Sequence, residues 1–265
     1  MRSLLAVTAL ALSVQSHADT TLENQFYDVS PAIINSAPER SEYYLHKYTW
    51  TEGMGTTQDV PLARFLQEAD RKEPVVIAVH GCATGAGEET LKSHFMYNGV
   101  NVVVVNFIKR GVRPSCLRYP VKGGWPEVSN PKRIKARRME LEAQVQFLKD
   151  NGFQRIWVAG HSEGGRVAMG LKAEVSGVMI FGMGCHYRQF WSPNPRNPHY
   201  VFLSRKDDWL GWPDHKIVGC RTLFNSSYVA EYWSDIPSHD VLLEAEHRDI
   251  TVRLVKGTGA GQLAE

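Results

Sequence analysis

The sequence predicts an α/β fold in which a mostly parallel central sheet is covered by helices on both faces. From residue 74 onward, short runs of β-branched residues alternate with stretches of helical periodicity, and this order of elements builds a parallel sheet. The runs at 74–79 and 100–107 are apolar at nearly every position, as strands buried on both faces require. We therefore expect these two runs to be central strands.

The same periodicities predict the other elements. Further strands are expected at 155–159, 175–181, 199–204 and 221–230, and helices at 88–97, 134–150, 165–173 and 241–255. The segment before residue 74 is less regular and is compatible with an edge strand at 43–50 and a short helix at 62–69. The helix from Ile134 is followed by Asn151-Gly152, a typical C-terminal stop, and we expect this helix to pack on the sheet.

Length and composition predict a single domain over residues 19–265. The chain has 265 residues, of which 43% are hydrophobic and 22% charged, and no linker-like or repeated segment divides it. The formal net charge of +2 favours no class of partner. Between Lys109 and Arg138, ten Lys and Arg stand against the single acid Glu127. This run predicts a solvated surface; a groove for anionic substrates is the alternative, and no nucleic-acid motif accompanies it.

Residues 1–18 have the pattern of a secretory signal peptide. Arg2 supplies a positive start, an apolar run follows at 4–12, and Ser16-His17-Ala18 provides the small residues of a cleavage site. The apolar run is too short to span a bilayer, and no cysteine follows the cleavage site to carry a lipid. We therefore expect a periplasmic or secreted protein without a stable membrane anchor.

The cysteines favour disulfides over a metal site. Four cysteines are an even number in a chain that is expected to leave the cytosol, which predicts two disulfides among Cys82, Cys116, Cys185 and Cys220, with three possible pairings. No C-x-x-C or H-E-x-x-H motif occurs, and Glu244 with His247 is only a weak pair. The sequence therefore predicts neither a metal site nor another cofactor.

A candidate nucleophile lies between a predicted strand and a predicted helix. Gly160-His161-Ser162-Glu163-Gly164 fits the G-x-S-x-G pattern, in which glycines allow a sharp turn that holds the serine hydroxyl at the carboxyl end of the sheet. The alternative is an ordinary tight turn. The surrounding strand and helix favour Ser162 as a nucleophile.

A nucleophilic serine needs an imidazole to accept its proton and a carboxylate to orient the imidazole. Asp207 and Asp208 follow the predicted strand at 199–204, and His239 lies between the next strand and the last helix. His215 precedes that strand and His247 falls within the helix, so both are less suited. The chain order serine, aspartate, histidine is the order expected for such a sheet.

The negative oxygen of a tetrahedral intermediate requires two hydrogen-bond donors. The backbone N–H of Glu163, directly after the serine, is the expected first donor. His80-Gly81-Cys82 ends the predicted strand at 74–79, which makes the N–H of Cys82 the expected second donor. A simple turn at His80-Gly81 is the alternative.

Five motifs in one order resemble the dienelactone hydrolase-like α/β hydrolases, over residues 73–256. They are His80-Gly81-Cys82, Arg110-Gly111 with Cys116, the turn at 160–165, Lys206-Asp207-Asp208-Trp209 with Cys220, and Ser238-His239. The resemblance implies an α/β-hydrolase fold without a large lid domain. It also implies a triad of Ser162, Asp207 and His239. Together with the sequence order, it suggests the disulfide pairs Cys82–Cys116 and Cys185–Cys220.

One departure from that family concerns the nucleophile. Dienelactone hydrolases proper use cysteine, whereas this chain has serine, so the resemblance does not carry over their substrate. Candidate substrate-binding residues are Trp191, Trp209 and Trp212, which could line an apolar pocket or belong to the core, and Arg110. The expected partner is a small acyl compound, anionic if the basic run faces the site.

The sequence thus predicts an exported serine hydrolase that acts on an ester, lactone or related acyl bond. A serine peptidase or an acyltransferase of the same fold is an alternative enzyme. An exported binding protein on a hydrolase scaffold without catalysis is an alternative of a different class, because a fold does not guarantee a function. Labelling of Ser162 by a fluorophosphonate separates the enzymes from the binding protein.

Overall fold

A computed structural model of the chain describes residues 35–46, 59–81, 87–105, 131–185, 193–210, 217, 219–221 and 228–258. The strands in these ranges are β1 Glu42–Tyr44, β2 Val75–Val79, β3 Asn101–Val104, β4 Ile156–His161, β5 Gly177–Phe181, β6 His199–Ser204 and β7 Val229–Ser234. The helices are α1 Ala37–Arg40, α2 Leu62–Glu68, α3 Glu88–Tyr97, α4 Pro131–Asp150, α5 Glu163–Met169 and α6 Ala245–Lys256. Short 3₁₀ turns occupy Asp208–Leu210 and Val241–Leu243.

The strands form one sheet in the order β1-β3-β2-β4-β5-β6-β7. All neighbouring strands from β3 to β7 are parallel, and β1 pairs antiparallel with β3 at the edge. Strands β2 to β6 are buried along their whole length, because helices cover both faces. The predicted α/β fold with a mostly parallel sheet is confirmed.

Two hydrophobic clusters lie on opposite faces of the sheet. Alternate residues of β2 supply both clusters, since successive side chains of a strand point to opposite faces. On one face, helix α4 contributes Leu141, Val145 and Leu148. On the other, α3 contributes Leu91 and Phe95. The described ranges contain no helix with the length and apolarity needed to cross a bilayer.

The strand predicted at 221–230 is wrong in its bounds. The strand β7 runs from Val229 to Ser234, and only its first two residues fall in the predicted range. Glu231 lies inside it and breaks the apolar pattern on which the prediction relied. This is possible because β7 lies at the end of the sheet, where its four middle residues are only half-buried.

Other elements also differ from their predicted bounds: the helix predicted at 165–173 is α5 Glu163–Met169, and the strand predicted at 175–181 begins at Gly177. The edge strand at the start of the sheet covers Glu42–Tyr44 within the predicted 43–50, and residues 47–50 lie outside the described ranges. The helix predicted at 241–255 is divided at Glu244 into a 3₁₀ turn and α6, because Glu244 has an extended backbone. Several predicted features lie outside the described residues: the signal peptide at 1–18, Cys82, Arg110, Cys116, Trp191, Trp212 and His215.

A disulfide joins Cys185 to Cys220, as the resemblance suggested. Both cysteines are fully buried, and their Cα atoms are 4.9 Å apart. Cys185 follows β5, and Cys220 belongs to the connection that leads to β7. The bond therefore ties together two segments near the carboxyl edge of the sheet.

Two buried histidines are expected to make the fold sensitive to acid. Burial lowers the pKa of His94 from 6.5 to about 4, with a further contribution from Arg248, and burial lowers the pKa of His199 to about 4. Between pH 6.5 and pH 4 the unfolded chain binds protons that the folded chain excludes. The free energy of unfolding is therefore fully retained above pH 6.5 and falls as the pH drops, by about 3 kcal/mol per histidine over the whole interval.

Urea denaturation at pH 7.5 and pH 4.5 measures this loss. The matched variant His94→Gln removes one titrating group and keeps a polar side chain beside Thr251, whose hydroxyl lies 2.8 Å from His94 Nε2. We expect a weaker pH dependence in this variant. An equal pH dependence in both proteins contradicts the assignment to His94.

Candidate active site

The candidate site residues lie at the carboxyl ends of the parallel strands. Ser162 follows β4, Asp207 follows β6 and His239 follows β7, while Gly81 lies two residues after β2. Because β2, β4, β5, β6 and β7 all run in one direction, their carboxyl ends form one edge of the sheet. The parallel topology therefore brings residues that are far apart in sequence to the same edge.

Ser162 occupies a strained turn between β4 and α5. Its backbone angles are φ 54° and ψ −119°, and it is the one non-glycine residue with positive φ among the described residues. Its N–H donates to the carbonyl of Phe181 at the end of β5 (2.8 Å), and its own carbonyl accepts from the N–H of Gly165 (3.0 Å). Such strain persists only where the surrounding structure imposes it, and it clusters at functional sites.

The glycine at position 164 is required by a close backbone approach. A Cβ added there would lie 2.1 Å from the carbonyl oxygen of Val79 and 2.5 Å from that of His80. The first turn of α5 thus rests directly against the carboxyl end of β2. This contact is the physical reason for the last glycine of the G-x-S-x-G pattern.

Asp207 and His239 form a hydrogen-bonded pair. Asp207 is fully buried, and its Oδ2 lies 2.7 Å from Nδ1 of His239. Its other oxygen accepts hydrogen bonds from the backbone N–H groups of Trp209 (2.9 Å) and Leu210 (3.2 Å). Because a carboxylate only accepts hydrogen bonds, Nδ1 carries the proton and Nε2 of the neutral ring is left as a base. That Nε2 atom is buried and has no hydrogen-bond partner among the described residues.

Three neighbours hold the imidazole of His239. The ring of His161, the residue before Ser162, contacts it edge-on with ring centres 5.0 Å apart, and its Nε2 lies 3.3 Å from the carbonyl oxygen of His239. The indole of Trp209 stacks on it with ring centres 5.5 Å apart and 22° between the ring planes. A Cβ added to Gly182 would lie 2.3 Å from the carbonyl oxygen of His239. These contacts place His239 beside the turn that carries Ser162.

The structure distinguishes between candidates that the sequence left open. Of the two adjacent aspartates, Asp207 contacts His239. His247 is buried in α6, where its Nδ1 lies 3.0 Å from the carbonyl oxygen of Val241. Trp209 is 45% exposed although it stacks on His239, so its indole is partly open to a bound molecule.

The side chain of Glu163 has a partner that the sequence analysis missed. Its Oε1 accepts a hydrogen bond from Nη1 of Arg137 at 2.5 Å, and both side chains are buried, with exposed fractions of 2% and 6%. Arg137 belongs to the basic run at 109–138, for which a solvated surface was predicted. For Arg137 this prediction is wrong, whereas Lys135 is exposed.

A sequence signal for Arg137 exists. It lies three residues after Ile134 and four before Leu141, on the same face of α4 as these buried apolar residues. A charged residue on the apolar face of a helix requires a buried partner. The sequence signal for Gly182 is much weaker, because it is a single glycine directly after a strand. The atom that a Cβ would collide with belongs to His239, which lies 57 residues further along the chain.

Together these features define the α/β-hydrolase fold: an antiparallel first strand on a parallel sheet, a serine in a sharp turn after a central strand, then an aspartate and a histidine after the following strands. The described parts of the connections between the strands contain no lid domain. The predicted fold class is confirmed.

Several solved structures of this class are similar to the chain. A carboxylesterase from Bacillus cereus has 16% identity and a TM-score of 0.49, with 74% of this chain and 98% of that chain covered. An α/β serine hydrolase without a lid from Xanthomonas campestris has 13% identity and a TM-score of 0.47, covering 71% and 83%. An esterase from Pyrococcus furiosus has 16% identity and a TM-score of 0.46, also covering 71% and 83%. No protein-family profile and no curated protein matches the chain.

Substitution of Gly182 is expected to displace His239. In Gly182→Ala the new methyl group would collide with the carbonyl of His239, and a misplacement of about 1 Å can cost about 100-fold in rate. We expect kcat on an aryl ester to fall by about 10- to 100-fold, measured in steady-state assays.

Gly152→Ala is the matched control. Both glycines have positive φ (58° and 84°), so both variants lose about 1–2 kcal/mol of stability from the left-handed backbone. A Cβ at residue 152 meets nothing within 4 Å. Equal loss of kcat in the two variants would show that the effect is general destabilisation.

Proposed function

We propose that the protein is an exported serine hydrolase of the dienelactone hydrolase-like type, acting on an ester, lactone or related acyl bond. The observation that carries this proposal is the pair of Asp207 and His239. Its 2.7 Å hydrogen bond leaves Nε2 as an unpartnered base among the described residues, next to the turn of Ser162. This is the arrangement by which an imidazole activates a hydroxyl nucleophile.

In the proposed first half-reaction, His239 Nε2 removes the proton from Ser162 Oγ as Oγ attacks the acyl carbon. The C–O bond that forms moves the carbonyl electrons onto oxygen, and the resulting oxyanion accepts hydrogen bonds from the N–H groups of Glu163 and Cys82. When the tetrahedral intermediate collapses, the protonated His239 transfers its proton to the leaving alkoxide. An alcohol departs and an acyl-enzyme remains.

In the second half-reaction, water takes the place of the alcohol. His239 removes a proton from the water, whose oxygen attacks the acyl carbon, and the proton is returned to Ser162 Oγ as the acid departs. Asp207 orients the ring and stabilises the imidazolium that forms in each half-reaction. A different acceptor at this step would make the same site an acyltransferase.

The substrate proposed for the site is a small acyl compound. Of the three candidate tryptophans, Trp209 lies within the described residues. Its half-exposed indole beside His239 offers an apolar wall for the acyl group or the leaving group. Trp191, Trp212 and Arg110 stay candidates from the sequence, the last for an anionic group.

Export follows from the signal-peptide pattern at 1–18, with the mature chain starting near Asp19. The disulfide between Cys185 and Cys220 is compatible with an oxidising compartment. Comparing the intact mass of the protein secreted or released from the periplasm with that of the full sequence tests this part of the proposal.

A fluorophosphonate probe tests the catalytic part. We expect one adduct per folded chain by intact mass, on the peptide that contains Ser162, and no adduct on urea-denatured protein. Turnover of short-chain aryl esters, lactones and peptide amides then separates esterase, lactonase and peptidase. No adduct and no turnover in folded protein would support the exported binding protein instead.

A further inference from the structure

The strongest feature outside the triad is the buried guanidinium of Arg137, which joins three groups. Its Nη1 donates to Glu163 Oε1 (2.5 Å) and approaches the carbonyl of Gly81 at 3.4 Å, and its Nη2 donates to the carbonyl of His80. Glu163 is the first residue of α5, directly after Ser162, whereas His80 and Gly81 follow β2. One side chain on α4 therefore links the two backbone segments that border the proposed oxyanion site.

Stability alone does not account for such a buried pair. Desolvation of two charges offsets most of their mutual attraction, and well-packed apolar side chains of similar size commonly stabilise a fold equally well. Arg137 lies on the apolar face of α4, between Ile134 and Leu141, where an apolar residue would fit the pattern. An apolar residue could not bind a carboxylate and two carbonyls at once, which the several N–H donors of a guanidinium can do.

The contact bears on the reaction through Glu163. The guanidinium holds the side chain of Glu163, whose own N–H is the first donor in the proposed mechanism. The same guanidinium holds the carbonyls of His80 and Gly81 at the carboxyl end of β2. Arg137 therefore links this donor to the neighbouring strand.

We propose that Arg137 is a positioning residue that fixes the oxyanion donor N–H of Glu163 relative to the carboxyl end of β2, by tying Glu163 to the carbonyls of His80 and Gly81. This inference rests on the proposed function. It deepens that proposal, because it assigns a role in transition-state stabilisation to a side chain that never touches the substrate. The close packing of Gly164 on the carbonyls of Val79 and His80 supports it, since both contacts cross the same seam between β2 and α5.

The test compares Arg137 variants with a second ion pair of α4, in which only the carboxylate is buried. Glu140 lies about one turn further along α4, is 1% exposed and binds Arg40 of α1, which is 32% exposed, at 3.0 Å. Glu140→Gln therefore reports the cost of breaking an ion pair of a buried carboxylate on α4 other than the Arg137–Glu163 pair. The variants are Arg137→Met, Arg137→Lys, Glu163→Gln and the double variant Arg137→Met with Glu163→Leu.

We expect kcat on an aryl ester to fall by about 10- to 100-fold in both Arg137 variants, less than the roughly 100- to 1,000-fold loss caused by removing an oxyanion donor outright. KM should change by less than about threefold, because an oxyanion donor acts mainly in the transition state. Rates are normalised to the fraction of folded chains in each preparation, measured by circular dichroism.

The double variant separates positioning from stability. Replacing both partners with apolar residues removes the buried charges, so the melting temperature should return towards that of the wild type while kcat stays low. Arg137→Lys keeps the charge opposite Glu163 but lacks the planar fork, so its kcat should also stay low. Glu140→Gln should lower the melting temperature and keep kcat within about threefold of the wild type.

Three results would overturn the inference: folded Arg137→Met with kcat within about threefold of the wild type, kcat restored together with stability in the double variant, or an equal loss in Glu140→Gln. Failure of the proposed function has a different signature. In that case the wild-type protein itself is neither labelled by the fluorophosphonate nor active on any acyl substrate, and the role of Arg137 falls with it.

Discussion

Ser162→Ala is expected to lower kcat on short-chain aryl esters by about 10⁴- to 10⁶-fold. The hydroxyl is the only group removed, and without it no acyl-enzyme can form, so the remaining rate comes from binding and the oxyanion donors alone. KM should change little, because alanine fits the same space. Steady-state kinetics of purified protein, with fluorophosphonate labelling beside it, measures the loss.

Ser162→Gly provides a matched variant in which the same hydroxyl is lost but the backbone is relieved. At φ 54° and ψ −119° any residue with a Cβ is strained, and glycine is not. We expect Ser162→Gly to be as inactive as Ser162→Ala. We expect its free energy of unfolding to be about 1 kcal/mol higher than that of Ser162→Ala. Turnover by either variant at the wild-type rate excludes Ser162 as the nucleophile.

Asp207→Asn is expected to lower kcat by about 10⁴-fold with little change in structure. The amide oxygen can still accept from the N–H groups of Trp209 and Leu210, but the amide nitrogen then faces His239 Nδ1 as a donor. The imidazole then carries its proton on Nε2. A protonated Nε2 cannot accept the proton of Ser162 Oγ. Kinetics at several pH values, with near-ultraviolet circular dichroism as a check of packing, measures the effect.

Asp208→Asn is the control for this prediction, because both aspartates follow the strand β6. The hydrogen bond to His239 comes from Asp207, so Asp208→Asn should keep kcat within about threefold of the wild type. A large loss in Asp208→Asn together with a small loss in Asp207→Asn would reverse the assignment.

Most of the sheet could be predicted because its signals are local. In β2 the run of five apolar residues reflects burial on both faces, and helix α4 ends where Asn151-Gly152 indicates. The bounds of β7 could not be predicted in this way. Whether Glu231 belongs to a strand depends on whether that strand lies at the centre or at the edge of the sheet, and this is a property of the assembled sheet.

The candidate site shows the same difference between local and long-range features. The sequence by itself determined the turn around Ser162 and the order in which serine, aspartate and histidine follow the strands, because glycine spacing and the order of the strands are local features of the sequence. The tertiary structure shows the contact of Asp207 with His239 that the resemblance had implied. Only the tertiary structure decided that Gly182 must lack a Cβ and that Arg137 is buried against Glu163. Each of these contacts joins residues that are far apart in sequence and come within a few ångströms of each other only after folding. No local sequence pattern predicts such a contact.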